Sequence, residues 1–273
     1  DFILFMLAIA VVPTIIIVTM FKEKGPSAEE WEALLGDLYV HAASEDHDTP
    51  LPYLFGPEKR AFDLRILRKA CAVAALPTAV GIGAIVVADR VNPLYHSVRV
   101  GHLGKPLRIT KLRTMPRETQ AVPSVNAHDD ERRSRVGKVL SKLRIDETPQ
   151  LLNILRGQMS VVGPRALLPA DFQAAAYILG PREAGGWLRD RQLALPGAFD
   201  EYSVLLYGGD LDETDEEQRL RLRIEMDRRY IFERACLDED TRIAEAGKAI
   251  ATRLMRRKLG LSEEAPVQTG HTS

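Results

Sequence analysis

Two long runs without a single charged residue interrupt an otherwise mixed pattern of apolar and polar positions. The first, Phe2 to Phe21, has roughly the 20 residues a helix needs to cross a hydrocarbon layer, and a proline such as Pro13 is tolerated inside one. It predicts a transmembrane helix over 1–22. A secretory signal would carry positive charge ahead of the run, and a buried core helix is seldom apolar on every face. Lys22 and Lys24 follow, which places that end in the cytoplasm by the positive-inside tendency. The first residue is Asp rather than Met, the expectation for a chain with further sequence upstream. Residues 23–57 are acidic and punctuated by Pro50, Pro52 and Pro57, and they read as a linker carrying one amphipathic patch around Trp31, Leu34 and Leu38.

The second run, Ala70 to Ala88, has Lys59, Arg60, Arg65, Arg68 and Lys69 ahead of it and Arg90 and Arg99 behind. A spanning helix should show charge asymmetry between its ends, so two basic flanks put both ends on the cytoplasmic side. Pro77, near the middle, supplies the break that a return requires. The pattern predicts a re-entrant helix over about 62–89, with an ordinary spanning helix as the alternative.

From Ser97 the period changes to two. Val98 and Val100 alternate, GHLGKP makes a turn, and Leu107 and Ile109 alternate on the way back, as in a hairpin. Lys111 then falls on the apolar face with Leu107 and Ile109, where an unpaired lysine is costly, so it becomes a site candidate by position. The turn is no phosphate loop, because its glycines are too close and Pro106 follows the lysine. Ser134 begins a helix whose apolar residues Val136, Val139, Leu140 and Leu143 follow helical spacing. Its other face carries Arg135, Lys138 and Lys142, either solvated or turned to anionic lipid.

The stretch Lys142 to Ala166 concentrates the candidate chemistry. Asp146 suits the N-cap of a helix from Glu147 to Arg156, Pro149 is tolerated in its first turn, and Gly157 stops it. Adjacent carboxylates at Asp146 and Glu147 repel, raising one pKa unless a metal ion or other cation is present. Met159 to Val162 reads as a short buried strand delivering Gly163-Pro164-Arg165. The planar arginine can hold a phosphate at two points, and backbone freedom at Gly163 lets a ligand approach. Near the end, Ile243, Ile250, Leu254 and Leu259 interleave with six basic residues, predicting a basic amphipathic helix over about 241–259 on an anionic membrane surface. Residues 262–273 read as a disordered polar tail.

Composition narrows the classes. The 273 residues are 45% hydrophobic, enough for a sizeable core, and the formal charge of −1 offers no global basic field for nucleic acid. Cys71 and Cys236 fit no metal or redox spacing, and the six histidines form no ligand pair, which argues for a reducing compartment and against zinc.

Taken together, Asp146-Glu147, Pro149-Gln150, Asn153, Gly157, Met159-Ser160 and Gly163-Pro164-Arg165 make an ordered pattern that closely resembles the bacterial sugar transferases, the monotopic phosphoglycosyl transferases. The resemblance covers about Glu58 to Glu233 and is strongest from Ser97 to Leu168. KLRTM stands where that family has Lys-x-Arg-Ser/Thr-Met, which marks Lys111 and Arg113. Glu225 to Tyr230 resembles its late Leu-Asp-x-x-Tyr element, which marks Asp227 and Tyr230 as weaker candidates for substrate contact.

The resemblance implies a compact, membrane-associated α/β catalytic domain over 58–261 on a re-entrant helix, at the bacterial inner membrane and facing the cytoplasm. It implies transfer of a sugar-1-phosphate from a UDP-sugar to polyprenyl (undecaprenyl) phosphate, with release of UMP, as the first membrane step of exopolysaccharide, capsule, O-antigen or glycoconjugate synthesis. Asp146 would be the nucleophile that forms an aspartyl phosphosugar, Glu147 would hold Mg²⁺, and Lys111 and Arg165 would offset charge. Three departures stand out: Leu76-Pro77 where the family often has Ser-Pro, Ala166 where it has a proline, and Ala198-Phe199-Asp200 after Pro196-Gly197. They are the grounds for a rival reading, a membrane-bound scaffold of the same fold with weakened activity. Which sugar is carried, and the oligomeric state, stay open at this point.

Overall fold

The computed structural model describes residues 50–115, 133–209 and 215–258. The expected transmembrane helix over 1–22, most of the 23–57 linker and the 262–273 tail lie outside the described residues.

Helix α1 (Pro57–Ala84) starts on a proline, whose missing N–H costs nothing in a first turn, and continues through a wider π-type turn, Ile85–Asp89. Together they form a 33-residue helix, the one described helix long and apolar enough to cross a membrane. Val73, Leu76, Val80 and Val87 are each more than 60% exposed along it, an apolar stripe with no protein against it. Helical backbone continues on both sides of Pro77. Proline cannot donate to the carbonyl of Val73, and beside it the Thr78 hydroxyl lies 2.6 Å from the Ala74 carbonyl oxygen.

The hairpin follows as its alternation predicts: β1 (Leu94–Val100) pairs antiparallel with β2 (Pro106–Leu112). Leu103 and Gly104 take positive φ in the tight turn, and Gly101 N donates to Lys105 O at 2.9 Å. Helix α2 (Arg135–Lys142) is capped by Ser134, whose hydroxyl accepts from Gly137 N at 2.9 Å. Of its expected apolar face Leu140 is buried but Val139 is 55% exposed. A 3-10 turn, Ile145–Gln150, leads into α3 (Leu151–Leu155), and Gly157 at φ 69° ends that helix as expected.

Strand β3 (Ser160–Val162) is wholly buried and pairs parallel with β4 (Gly197–Phe199). Between them lie α4 (Pro169–Leu179) and α5 (Pro181–Arg191), and after them α6 (Glu201–Gly208), α7 (Glu216–Arg229), a π-type turn at Tyr230–Arg234 and α8 (Leu237–Lys258). The α/β expectation holds in a coarse sense. Among the described residues helices dominate, and the strands form two separate two-stranded sheets.

The largest core joins Phe62 and Leu67 of α1 to Leu107 and Ile109 of β2, Val161 and Val162 of β3, Ile231 and Ile243. A second core holds Ile85, Leu94, Leu112 and Leu140, so both ends of α1 are built into the folded domain. The end of the supposed linker belongs there too: Leu54 is buried, and Leu51 N donates to Ile231 O at 3.0 Å.

These contacts correct the reading of the basic flanks. Lys59 is 3% exposed, and its ammonium donates to Asp240 at 2.5 Å, Val162 O at 2.7 Å and the Tyr230 hydroxyl at 2.9 Å. Arg60 donates to the carbonyls of Ile154 and Leu155, both at 2.6 Å, closing the end of α3. Arg99 also turns inward. Arg65, Arg68 and Lys69 remain exposed on the first flank and Arg90 on the second.

The apolar face of α8 is shared between core and cavity. Ile243 is in the core, while Ile250 and Leu254 are half-buried and Met255 exposed along a cavity, so the inner part of that face meets the domain. Leu259 lies outside the described residues.

Candidate active site

The acidic turn is held differently from a helix N-cap. Arg144, not Asp146, precedes the 3-10 turn, in the left-handed conformation at φ 58°. A non-glycine residue there costs of order 1–3 kcal/mol, an outlay made where the side chain is needed. Its guanidinium reaches Glu147 Oε2 at 3.5 Å and lies 5.9 Å from the Tyr207 ring centroid. From β2, the Lys111 ammonium donates to Glu147 Oε1 at 2.8 Å.

The two carboxylates therefore stand in opposite surroundings. Burial, then the nearby charge of Glu147, pushes the Asp146 carboxyl up to about 6 against the smaller opposing pull of Lys111 and Arg144. One of its oxygens, Oδ1, is buried with no hydrogen-bond partner among the described residues. Burial also works against the charge on Glu147, yet Lys111, Arg165 and Arg144 together outweigh it and hold that carboxyl down at about 2. At neutral pH Glu147 is a fixed anion, and Asp146 is an ionised carboxylate that is poorly compensated.

A cavity of about 360 Å³ opens beside this turn. Its polar wall carries Lys111, Glu147, Arg144, Arg165 and Arg99, and its apolar wall is built from Ala70 and Ala74 of α1 with Ile250, Leu254 and Met255 of α8. Glu147 and Thr148 line the cavity directly, and Asp146 precedes them in the same turn. With Lys142 the lining holds five cations against two carboxylates, Glu147 and Asp200, which suits a ligand with several negative charges, and the apolar wall suits a greasy one.

Arg165 is set by the short β3–β4 pairing. Its backbone bridges to Gly197, and its carbonyl accepts from Arg191, while Ala166 O accepts from Arg99 at 3.1 Å. Glu147 and Asp200 more than offset the cost of burying its guanidinium and raise its pKa. Gly163 serves packing and not ligand approach: a Cβ there would come within 2.5 Å of the Leu195 carbonyl oxygen. The departures are absorbed locally. Ala166 contributes its carbonyl, and the Asp200 carboxylate accepts from Ser203 N at 2.9 Å to cap α6.

The structure thus brings together Asp146, Glu147, Lys111 and Arg165. It sets the other three candidates apart. Arg113 donates to the carbonyls of Asn92 and Leu94, tying down the start of β1. Asp227 is buried, accepts from Trp187 Nε1 at 2.9 Å and pairs with Arg191, so it touches the site only through the arginine that holds the Arg165 carbonyl. Tyr230 donates to Asp240 at 2.7 Å beside Lys59, in the core.

Arg99 and Arg144 were not singled out from the sequence. Arg99 could have been: in the hairpin register Arg99 pairs with Leu107, Ser97 with Ile109 and Tyr95 with Lys111, so Arg99 shares the Lys111 face. The backbone turn at Arg144 had no comparable signal.

An acid pair in divided surroundings, ringed by cations beside a helix with an exposed apolar stripe, is a centre suited to anionic ligands. Residues 56–251 match the family model described as bacterial sugar transferase, and the chain belongs to that family. Exopolysaccharide production protein ExoY of Sinorhizobium fredii is 33% identical over 175 residues, 55% of this chain and 77% of that protein. UDP-glucose:undecaprenyl-phosphate glucose-1-phosphate transferase of Caulobacter vibrioides is 42% identical over 138 residues, 49% of this chain and 48% of its own. The Escherichia coli protein of the same name is 30% identical over 189 residues, 68% of this chain and 39% of its own. The chain thus spans half or less of the last two.

Proposed function

We propose that this protein transfers a sugar-1-phosphate from a UDP-sugar to polyprenyl phosphate in two steps, at the cytoplasmic face of a bacterial inner membrane, as an initiating step of exopolysaccharide synthesis. The observation that carries this reading is the division of the acid pair, with Glu147 neutralised by cations and Asp146 left electron-rich with an unpartnered oxygen. In the first step an Asp146 oxygen attacks the sugar-linked phosphorus, the bond to the bridging oxygen breaks, and UMP leaves with the electron pair. In the second a phosphate oxygen of the lipid attacks the same phosphorus and Asp146 is released. Lys111, Arg165 and Arg99 face the charge that grows on the leaving UMP. The apolar wall shared by α1 and α8 suits the first units of the prenyl chain.

Magnesium is compatible with the residues present. The described residues form no cluster of three acid or histidine ligands, but this cation is commonly held by one carboxylate, several waters and the substrate's own phosphates. Glu147 is the carboxylate for it, 30% exposed beside the cavity, with Lys111 on its Oε1 at 2.8 Å and Arg144 at 3.5 Å from Oε2, the oxygen left for the ion. Bound there, the ion would supply charge neutralisation on the diphosphate. Glu147→Gln is expected to raise the magnesium requirement by roughly tenfold or more, because an amide is a poorer ligand for a hard cation. An unchanged magnesium titration would remove Glu147 from that role.

The test of the reaction is UMP release from a panel of UDP-sugars by the protein in nanodiscs with magnesium and undecaprenyl phosphate. Release matched by lipid-linked sugar phosphate is the expected result, and its absence with every sugar would leave the scaffold reading in place.

The monotopic arrangement is supported by the attachment of both helix ends to one folded body, Lys59 to Asp240 at one end and Asp89 to Ser134 at 2.7 Å at the other. Single cysteines at the exposed Glu58 and Asn92, in a chain lacking Cys71 and Cys236, should both resist an impermeant thiol reagent in spheroplasts and react after permeabilisation. Labelling of one of them before permeabilisation would overturn the arrangement.

A further inference from the structure

The apolar helix and the acidic turn are joined by one polar contact. Thr78, one residue past Pro77 and 8% exposed, has its hydroxyl oxygen 2.6 Å from that of Thr148, the residue after Glu147. The Thr78 hydroxyl also lies 2.6 Å from Ala74 O, and the Thr148 hydroxyl 2.7 Å from Ile145 O. Two protons serve these three contacts. If Thr148 donates to Thr78, Thr78 donates to Ala74 O; if Thr78 donates to Thr148, Thr148 donates to Ile145 O. With neither proton between them, two sets of lone pairs would face each other at 2.6 Å, so the inter-threonine bond persists in both workable arrangements.

The surrounding packing leaves little slack. Thr78, Gly81 and Ile85 share one face of the helix. A Cβ on Gly81 would come within 2.9 Å of a Leu140 methyl and 3.1 Å of a Leu112 methyl, and within 3.6 Å of Ile145 at the start of the acidic turn. An apolar contact at this point would tolerate sliding, whereas a buried hydrogen bond fixes distance and direction and is costly to leave unmade. Thr148 stands between Glu147, which faces the cavity, and the buried Pro149.

We propose that Thr78 and Thr148 are positioning residues, whose hydroxyl bridge fixes the Asp146-Glu147 turn to α1 so that the membrane helix sets where the acid pair stands. The inference rests on the reaction proposed above. Thr78 lies outside the cavity lining and Thr148 inside it, which separates positioning from substrate contact.

The experiment uses the full chain in nanodiscs, carrying Thr78→Val, Thr148→Val, both together, or Thr148→Ser. Each valine variant is expected to lower kcat about tenfold with KM for the UDP-sugar within about twofold, the scale of one lost hydrogen bond felt at the reacting atoms. The double variant should be no worse than either single one, and Thr148→Ser should recover to within about twofold of the parent. Loss in Thr148→Val with none in Thr78→Val would assign Thr148 to substrate contact and overturn the proposal. Additive losses, or a lower melting temperature at unchanged kcat, would overturn it as well.

Hydrogen exchange of the amides from Ile145 to Gln150 gives a readout independent of turnover. It should quicken about tenfold in Thr78→Val if the bridge holds the turn. Unchanged exchange would sink the bridge even where the parent protein transfers no sugar, and a parent that releases no UMP would sink the reaction while exchange still decides the bridge.

Discussion

Asp146→Asn is expected to lower UMP release by at least about 1000-fold and to abolish covalent capture of the phosphosugar, because an amide has no anionic oxygen with which to attack phosphorus. The fold should survive, and even gain. Burial and Glu147 raise the Asp146 pKa in the folded protein, so the native state binds more protons than the unfolded chain between about pH 4 and 6, and stability falls as pH rises through that window. Asparagine removes that penalty. Melting curves should therefore show the variant at least as stable as the parent at pH 7, with the difference gone below about pH 4. The same shift shapes the parent's activity: kcat/KM should rise with pH through about 6 as Asp146 ionises. A folded Asp146→Asn protein with near-normal UMP release would remove Asp146 as the nucleophile.

The second large effect concerns the carboxylate of Asp240, on which three donors converge, the buried Lys59 at 2.5 Å and Tyr230 at 2.7 Å and the half-buried Tyr53 at 2.9 Å. Removing one member of a buried ion pair leaves an uncompensated charge and costs about 3–5 kcal/mol. Asp240→Leu leaves the Lys59 ammonium buried with only neutral partners, the Val162 carbonyl and the Tyr230 hydroxyl, and takes the acceptor from Tyr53, whereas Lys59→Met leaves Asp240 with two hydroxyl partners. Both should lower the melting temperature, Asp240→Leu by about 10 °C or more and Lys59→Met by less. Thermal melts in detergent decide it, and the reverse order would show that Asp240 is not the hub of the cluster.

Local patterns made part of this architecture legible. Period-two alternation located the hairpin and turned Lys111 inward, Ser134 marked a cap, and Gly157 marked a helix end. The acidic turn escaped the same logic. Asp146 has the chemistry of a cap, but Arg144 takes a left-handed backbone conformation whose side chain meets Glu147 and Tyr207, and a tertiary arrangement of that kind overrides a local preference. Lys59 and Arg60 read as membrane-flanking charges because their partners lie far along the chain; the Lys59 contact to Asp240 spans 181 residues. Asp227 and Tyr230 stood out by resemblance to the family, yet in the structure each is occupied by a buried partner that it alone could not announce.

That span has a consequence for how the protein is made. Helix α1 is translated well before α8, and the ammonium of Lys59 has no carboxylate to meet until Asp240 has left the ribosome. During that interval the core face of α1, with Phe62 and Leu67, has no late partner to cover it. Closure then waits on the far end of the domain, as expected when defining contacts join distant parts of a chain. An α1-deleted version sought for its solubility would lack the wall, Phe62 and Leu67 among it, against which the remainder folds.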